Sequence, residues 1–144
     1  MSKILIIDGP NIDLLSSRNS THYDTLSYEE LKQYTLGQND IHDIDWIQLS
    51  GEGEIVKLIN QSCEKYDGLI INPGAYSHYS LAIHDALEIF SKPKIELHLS
   101  HIVARETFRA SLITARKVDG LIEGLGRDSY VLALLALDKL IQRE

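Results

Sequence analysis

One cysteine and three prolines in 144 residues leave this chain no means of building a disulfide or a thiolate metal cluster by itself, and few rigid interruptions. Cys63, between Ile59 and Tyr66, reads as a small buried residue in a helix. No window reaches the roughly 18 uncharged apolar residues that crossing a bilayer needs. Met1, Ser2 and Lys3 lead straight into a strand pattern rather than a secretory leader. A cytoplasmic location is expected. Basic residues are the minority, 14 Lys and Arg against 21 Asp and Glu, and they form no basic stretch. The net charge of -7 argues against a phosphate-backbone footprint, so no nucleic-acid partner and no membrane partner is expected. Low complexity, internal repeats and Pro/Gly/Ser linkers are absent as well. With 44% apolar content, a single domain spanning 1–144 is expected to close around one core.

What is there is a regular alternation of strand and helix patterns. Apolar runs at 3–8, near 44–49, at 68–72, at 94–99 and at 120–124 read as strands. Ser27 followed by Glu30 is a capping-box pattern for a helix to about 38. Helices are expected at about 53–65, 79–90 and 128–142, the second of these ahead of Pro93. The stretch 101–117 reads as a loop with at most one helical turn. Five strands interleaved with four or five helices predict a doubly wound, flavodoxin-like α/β domain with a five-stranded parallel sheet.

In such sheets ligands bind beyond the carboxyl ends of the strands, and three runs here stop on polar residues. Ile4 to Ile7 meets Asp8, Gly9, Pro10 and Asn11; Leu69 to Ile71 meets Asn72, Pro73 and Gly74; Ile95 to Leu97 meets His98, Leu99, Ser100 and His101. Amides, imidazoles and a hydroxyl thus converge at one end. Glu96 and His98 share a strand face, and a carboxylate beside an imidazole fixes its tautomer and supports it as a general acid. Asn11 and Asn72 suit either a developing oxyanion or the turns they begin. The connection 9–26 is long for a βα loop and reads as a mobile lid carrying Arg18 and Tyr23. A free phenol is ionised only about one part in a thousand at neutral pH, and a guanidinium beside it would favour tyrosinate. Arg105 and Arg109 follow shortly after His98 and supply local positive charge for an anionic small substrate.

Cofactor signals are weak. Glu52 and Glu54 beside Gly51 and Gly53 open a helix with negative charge, which suits a cap and repels phosphate. Gly120, Gly124 and Gly126 do not make a G-x-G-x-x-G turn, which disfavours flavodoxin-like electron transfer. No acidic residue follows His98 and His101 at a zinc-ligand offset, and His22, His42, His78 and His84 are scattered. Neither a metal nor an organic cofactor is expected.

The blocks IDGPNIDLL, INPGAYSHYSLAIHDAL, IELHLSHIVARETFR and GLGRDSYVLAL, in that order and covering essentially the whole chain, resemble the type II 3-dehydroquinate dehydratases. The resemblance implies a lyase that reversibly dehydrates 3-dehydroquinate to 3-dehydroshikimate by anti elimination through an enol or enolate, without metal or Schiff base. It implies that Tyr23 is the base at C2 and Arg18 the lid arginine favouring tyrosinate. Asn11 would position a water and stabilise the enolate, and His98, oriented by Glu96, would protonate the departing C1 hydroxyl beside Asn72. Leu99 and Ser100 would hold the substrate carboxylate, His78 and Arg109 the ring hydroxyls, and Asp85 would reach a neighbouring subunit's site. A dodecamer of trimers in the shikimate pathway or quinate catabolism is implied too.

Departures accompany the likeness. Asp8 stands where the family commonly has Asn, and a carboxylate there would oppose tyrosinate unless paired or distant. Asn19 and Ser20 replace Glu-Pro, Asp24 replaces Gly, and His84, His101 and Val103 also differ, as does the segment Ala110 to Ile113. Asp8 and the altered lid motivate the alternative of a catalytically weak paralogue that binds a quinate-like ligand or acts as an assembly module.

Overall fold

A computed structural model describes residues 1–18 and 26–143. Tyr23, with Asn19, Ser20 and Asp24, lies outside the described residues. Five parallel strands, β1 (Ser2–Asp8), β2 (His42–Gln48), β3 (Gly68–Asn72), β4 (Lys94–His98) and β5 (Gly120–Glu123), form one sheet in the order β2-β1-β3-β4-β5. This is the flavodoxin-like doubly wound order. Four helices, α1 (Tyr28–Gly37), α2 (Glu52–Ser62), α3 (Leu81–Ile89) and α4 (Ser129–Gln142), connect or close it.

Alternation along the central strands builds two cores. Ile4, Ile6 and Ile70 face α1 and α4, where Leu31, Tyr130, Leu134 and Leu137 cover them. Leu5, Ile7, Leu69 and Ile71 face α2 and α3 and pack on Ile55, Ile59, Ile83 and Leu87. Burial on both faces explains why β1 and β3 read as unbroken apolar runs. Start signals act locally. The Ser27 hydroxyl accepts from Glu30 N–H at 3.1 Å while Glu30 Oε1 accepts from Ser27 N–H at 3.2 Å, and Ser80 Oγ accepts from Ile83 N–H at 3.0 Å to open α3. At α2 the N–H of Gly51 donates to Glu54 Oε1 at 3.1 Å, the cap that its acidic residues predicted.

Three expectations are corrected. The connection after β1 begins with a 3₁₀ helix, Ile12–Ser17, because Ile12 and Leu15 are three residues apart and both buried, which suits three residues per turn. The 101–117 stretch holds three 3₁₀ helices, Ile102–Ala104, Thr107–Arg109 and Thr114–Lys117, each too short to show a period. Cys63 is half-buried at the end of α2 with its Sγ 3.1 Å from Ser91 Oγ, so it edges the core rather than filling it. Among the described residues no helix is long and apolar enough to cross a membrane.

The loops leaving β1 and β3 meet with no room between them. Gly9 N–H donates to the Asn72 carbonyl at 2.7 Å, and a Cβ on Gly9 would lie 2.6 Å from the Pro73 carbonyl oxygen. Backbone cannot yield there as a flexible side chain would. Gly9→Ala should therefore destabilise the fold by about 1–3 kcal/mol, read as a lowered urea midpoint; an unchanged midpoint would show that the two loops part freely.

Candidate active site

Asp8, Asn72 and His98 end three adjacent strands, and Asp8 pairs in register with Asn72. The sheet therefore presents a carboxylate, an amide and an imidazole side by side. His98 Nε2 donates to Glu96 Oε2 at 2.8 Å, and Glu96 Oε1 accepts from Thr114 Oγ1 at 2.5 Å. Glu96 is wholly buried and His98 nearly so. Both oxygens of a desolvated carboxylate are thus satisfied, which offsets the cost of burying it. The arrangement fixes the ring and leaves Nδ1 as its other polar atom.

Asp8 is paired, and heavily. Its Oδ2 accepts from the Trp46 indole N–H at 2.6 Å and from the Tyr28 hydroxyl at 2.7 Å, and its Oδ1 accepts from the Tyr130 hydroxyl. Burial pushes its carboxyl up from 3.8 to about 6 despite the three donors and the nearby Lys32 cation, which pull the other way. Burial, followed by the charge of Asp8, also raises the Tyr28 and Tyr130 phenols. Tyr130 in turn meets Asn72, whose Nδ2 lies 3.3 Å from the phenol oxygen.

In front of these strand ends lies a narrow crevice lined by Arg18, Asn72, His78, His98, Leu99, Ser100, Arg105 and Arg109, with Ile12, Gly74, Ala75 and Ile102 filling the gaps. Three arginines line it in a chain of net charge -7. Ser100 Oγ accepts from Arg105 Nη1 at 3.2 Å, and Glu106 Oε2 accepts from Arg109 Nε at 2.9 Å. His78 Nδ1 donates to the Ser111 carbonyl at 2.8 Å, tying the turn after β3 to the 101–117 segment. Burial holds the His78 imidazole below its usual range; the Ser111 carbonyl opposes this, and Arg109 and His98 reinforce it. A larger cavity of about 200 Å³ between α1 and α4, bordered by His42, Leu134 and Asp138, opens at the start of β2, the end of the sheet where ligands of this fold class do not bind.

A family model described as "Dehydroquinase class II" matches residues 2–138. The chain belongs to the class II dehydroquinase family. It is 43% identical over 143 residues to a 3-dehydroquinate dehydratase of Carboxydothermus hydrogenoformans, covering 98% of this chain and 93% of that protein. The crystal structure of a type II dehydroquinase from Butyrivibrio crossotus superposes with a TM-score of 0.88 at 38% identity, covering 95% of this chain and 97% of that one. A type II dehydroquinase from Propionibacterium acnes gives 0.84 at 34%, covering 99% and 97%.

The expected site residues of this chain divide into two groups. Arg18, Asn72, His78, His98, Leu99, Ser100 and Arg109 line one crevice, and Glu96 stands directly behind His98. Asn11 is exposed and is not among the lining residues; it takes a left-handed conformation, φ 70°, to begin the 3₁₀ helix. Asp85 is also outside, exposed on α3 with Oδ1 2.7 Å from His84 Nδ1. Sequence reading noted Arg105 as local charge but gave it no place in the site, and it overlooked Thr114 altogether. It also missed Tyr28, Trp46 and Tyr130 around Asp8; only Tyr130 had a signal, its place in the GLGRDSYVLAL block.

Asp8 makes stability depend on pH in a defined direction. The folded carboxyl keeps its proton up to about pH 6 while the unfolded one releases it near the ordinary 3.8. Its contribution therefore favours the fold at low pH and is lost as pH rises through about 6, a difference of about 3 kcal/mol. Asp8→Asn, which cannot titrate, should gain up to about 3 kcal/mol on the parent between about pH 4 and pH 7.5. Urea unfolding at both pH values checks this, and a constant gap would contradict it.

Proposed function

We propose that the chain performs the reversible anti dehydration of 3-dehydroquinate to 3-dehydroshikimate through an enolate, with tyrosinate as base and a histidine as acid. The supporting observation is the buried Thr114–Glu96–His98 chain opening onto a crevice that holds three arginine side chains. A small cyclic carboxylate suits that crevice: guanidinium groups and the Ser100 segment receive the anion, and a ring with hydroxyls reaches His78 and Arg109. Family relatives bear the name 3-dehydroquinate dehydratase, which supports the same substrate.

In this reading Tyr23, carried on the segment after Arg18, removes the C2 proton as tyrosinate, and the Arg18 charge favours the ionised phenol. Electrons move into the ketone, and the enolate oxygen is met by a water held by Asn11. The carbonyl then re-forms and the electron pair makes the C1=C2 double bond, while His98, held through Nε2 by Glu96, delivers a proton to the C1 hydroxyl, which leaves as water. The 9–26 lid brings the base in and excludes solvent. Asp85, exposed on α3, serves a neighbouring subunit in a dodecamer of trimers. The weak-paralogue alternative rested on Asp8 and the altered lid; Asp8 is turned to Tyr28, Trp46 and Tyr130, which removes the first of these two grounds.

Formation of the conjugated enone from 3-dehydroquinate, followed in the ultraviolet, tests the proposal. Tyr23→Phe and His98→Asn should each lose turnover by a factor of about 10²–10⁴, and Tyr23→Phe should keep the parent's unfolding midpoint. Near-parental turnover by Tyr23→Phe would remove the phenol from the role of base.

A further inference from the structure

The hydrogen bonds between Asp8, Tyr130 and Asn72 have a polarity that can be read without ambiguity. Gly74 N–H can only donate, and it meets Asn72 Oδ1 at 3.2 Å, so that end of the carboxamide is the oxygen. The other end, Nδ2, lies 3.3 Å from the Tyr130 hydroxyl. Amide nitrogen has no lone pair to give, so the phenol oxygen accepts, and its own hydrogen goes to Asp8 Oδ1. Every donor along this chain points towards the carboxylate. One Nδ2 hydrogen remains for the crevice that Asn72 lines beside His98.

We propose that Asp8 and Tyr130 are positioning residues that set which end of the Asn72 carboxamide faces the reacting ligand, and that protonation of Asp8 releases that setting. Its catalytic consequence rests on the dehydratase reading; the coupling itself does not. The groups around Asp8 come from every element packed on it: Tyr28 and Lys32 of α1, Trp46 of β2, Tyr130 of α4 and Asn72 of β3, with Asp13 acting on Tyr28. When Asp8 is ionised, all three of its donors are satisfied. When it gains a proton, that hydrogen needs an acceptor, and the indole can only donate, so a phenol must take it. If Tyr130 takes it, the phenol's own hydrogen turns to Asn72 and meets an NH₂ group. The carboxamide relieves this donor-to-donor contact by reversing, which breaks the Gly74 bond and offers the crevice a carbonyl edge instead of an N–H.

The tautomer-independent reporter is the Asn72 side-chain NH₂ pair, followed by ¹⁵N NMR in the ligand-free chain from about pH 5 to pH 7.5. In the parent these signals should move with a midpoint of about 6, the value burial gives Asp8. The midpoint should vanish in Asp8→Asn and in Tyr130→Phe, the latter keeping the ring that fills the core. Signals that stay fixed, or a midpoint retained in Tyr130→Phe, would overturn the proposal. In the enone assay Tyr130→Phe should lower kcat about tenfold with KM within about twofold. Equal kcat in parent and Tyr130→Phe would deny the positioning role. A parent with no turnover at all would instead overturn the dehydratase reading, leaving the carboxamide signals to decide the coupling.

Discussion

A buried carboxylate survives in a protein interior only where donors surround it, and in this fold that requirement gathers distant parts of the chain. Asp8 is fully buried and is reached by side chains from α1, β2 and α4. Removing it from water is costly, and the three donors offset the cost only if all three elements are docked correctly. The first strand's last residue thus acts as a checkpoint for assembly on the α1/α4 face. Trp46 and Tyr130, with ring centroids 4.7 Å apart, close the space around it. A second buried carboxylate, Glu96, does the same for the other side of the site, joining β4 to the Thr114 turn and aligning His98.

These two acids divide labour by their surroundings. Glu96 contacts the His98 imidazole and the Thr114 hydroxyl. Asp8 contacts only neutral donors, and its own proton is the variable. Two carboxylates, on strands separated by β3, therefore stand behind one crevice in different company, one bonded to an imidazole and the other to a phenol that meets an amide.

Much of the fold was legible because the physics that builds it is local. β3 is found at 68–72 as read, since a strand buried on both faces leaves an apolar run with sharp ends. The Ser27–Glu30 box marks α1 because its two hydrogen bonds span only three residues. The 101–117 stretch was not legible, since single 3₁₀ turns have no period to detect. The same division holds at the site. His98 and Glu96 are two residues apart on one strand and declare each other, whereas Thr114 and Tyr130 reach Glu96 and Asp8 across 18 and 122 residues and leave no pattern. Asn72, His78, Ser100 and Arg109, which the resemblance to dehydroquinases singles out, line one crevice. The resemblance could not tell how the unusual Asp8 would be accommodated, because that depends on the company of Tyr28 and Trp46.

The close approach of Gly9 to Pro73, next to Asn72, has a bearing on how this site can diversify. Two main chains in contact fix a spacing behind Asn72 that no side-chain replacement can tune. The walls are another matter: Ile12 and Ile102 belong to short 3₁₀ turns, pieces that tolerate resizing. Descendants of this chain that accept bulkier or smaller rings would therefore be expected to differ along those walls while keeping the Gly9–Pro73 junction unaltered.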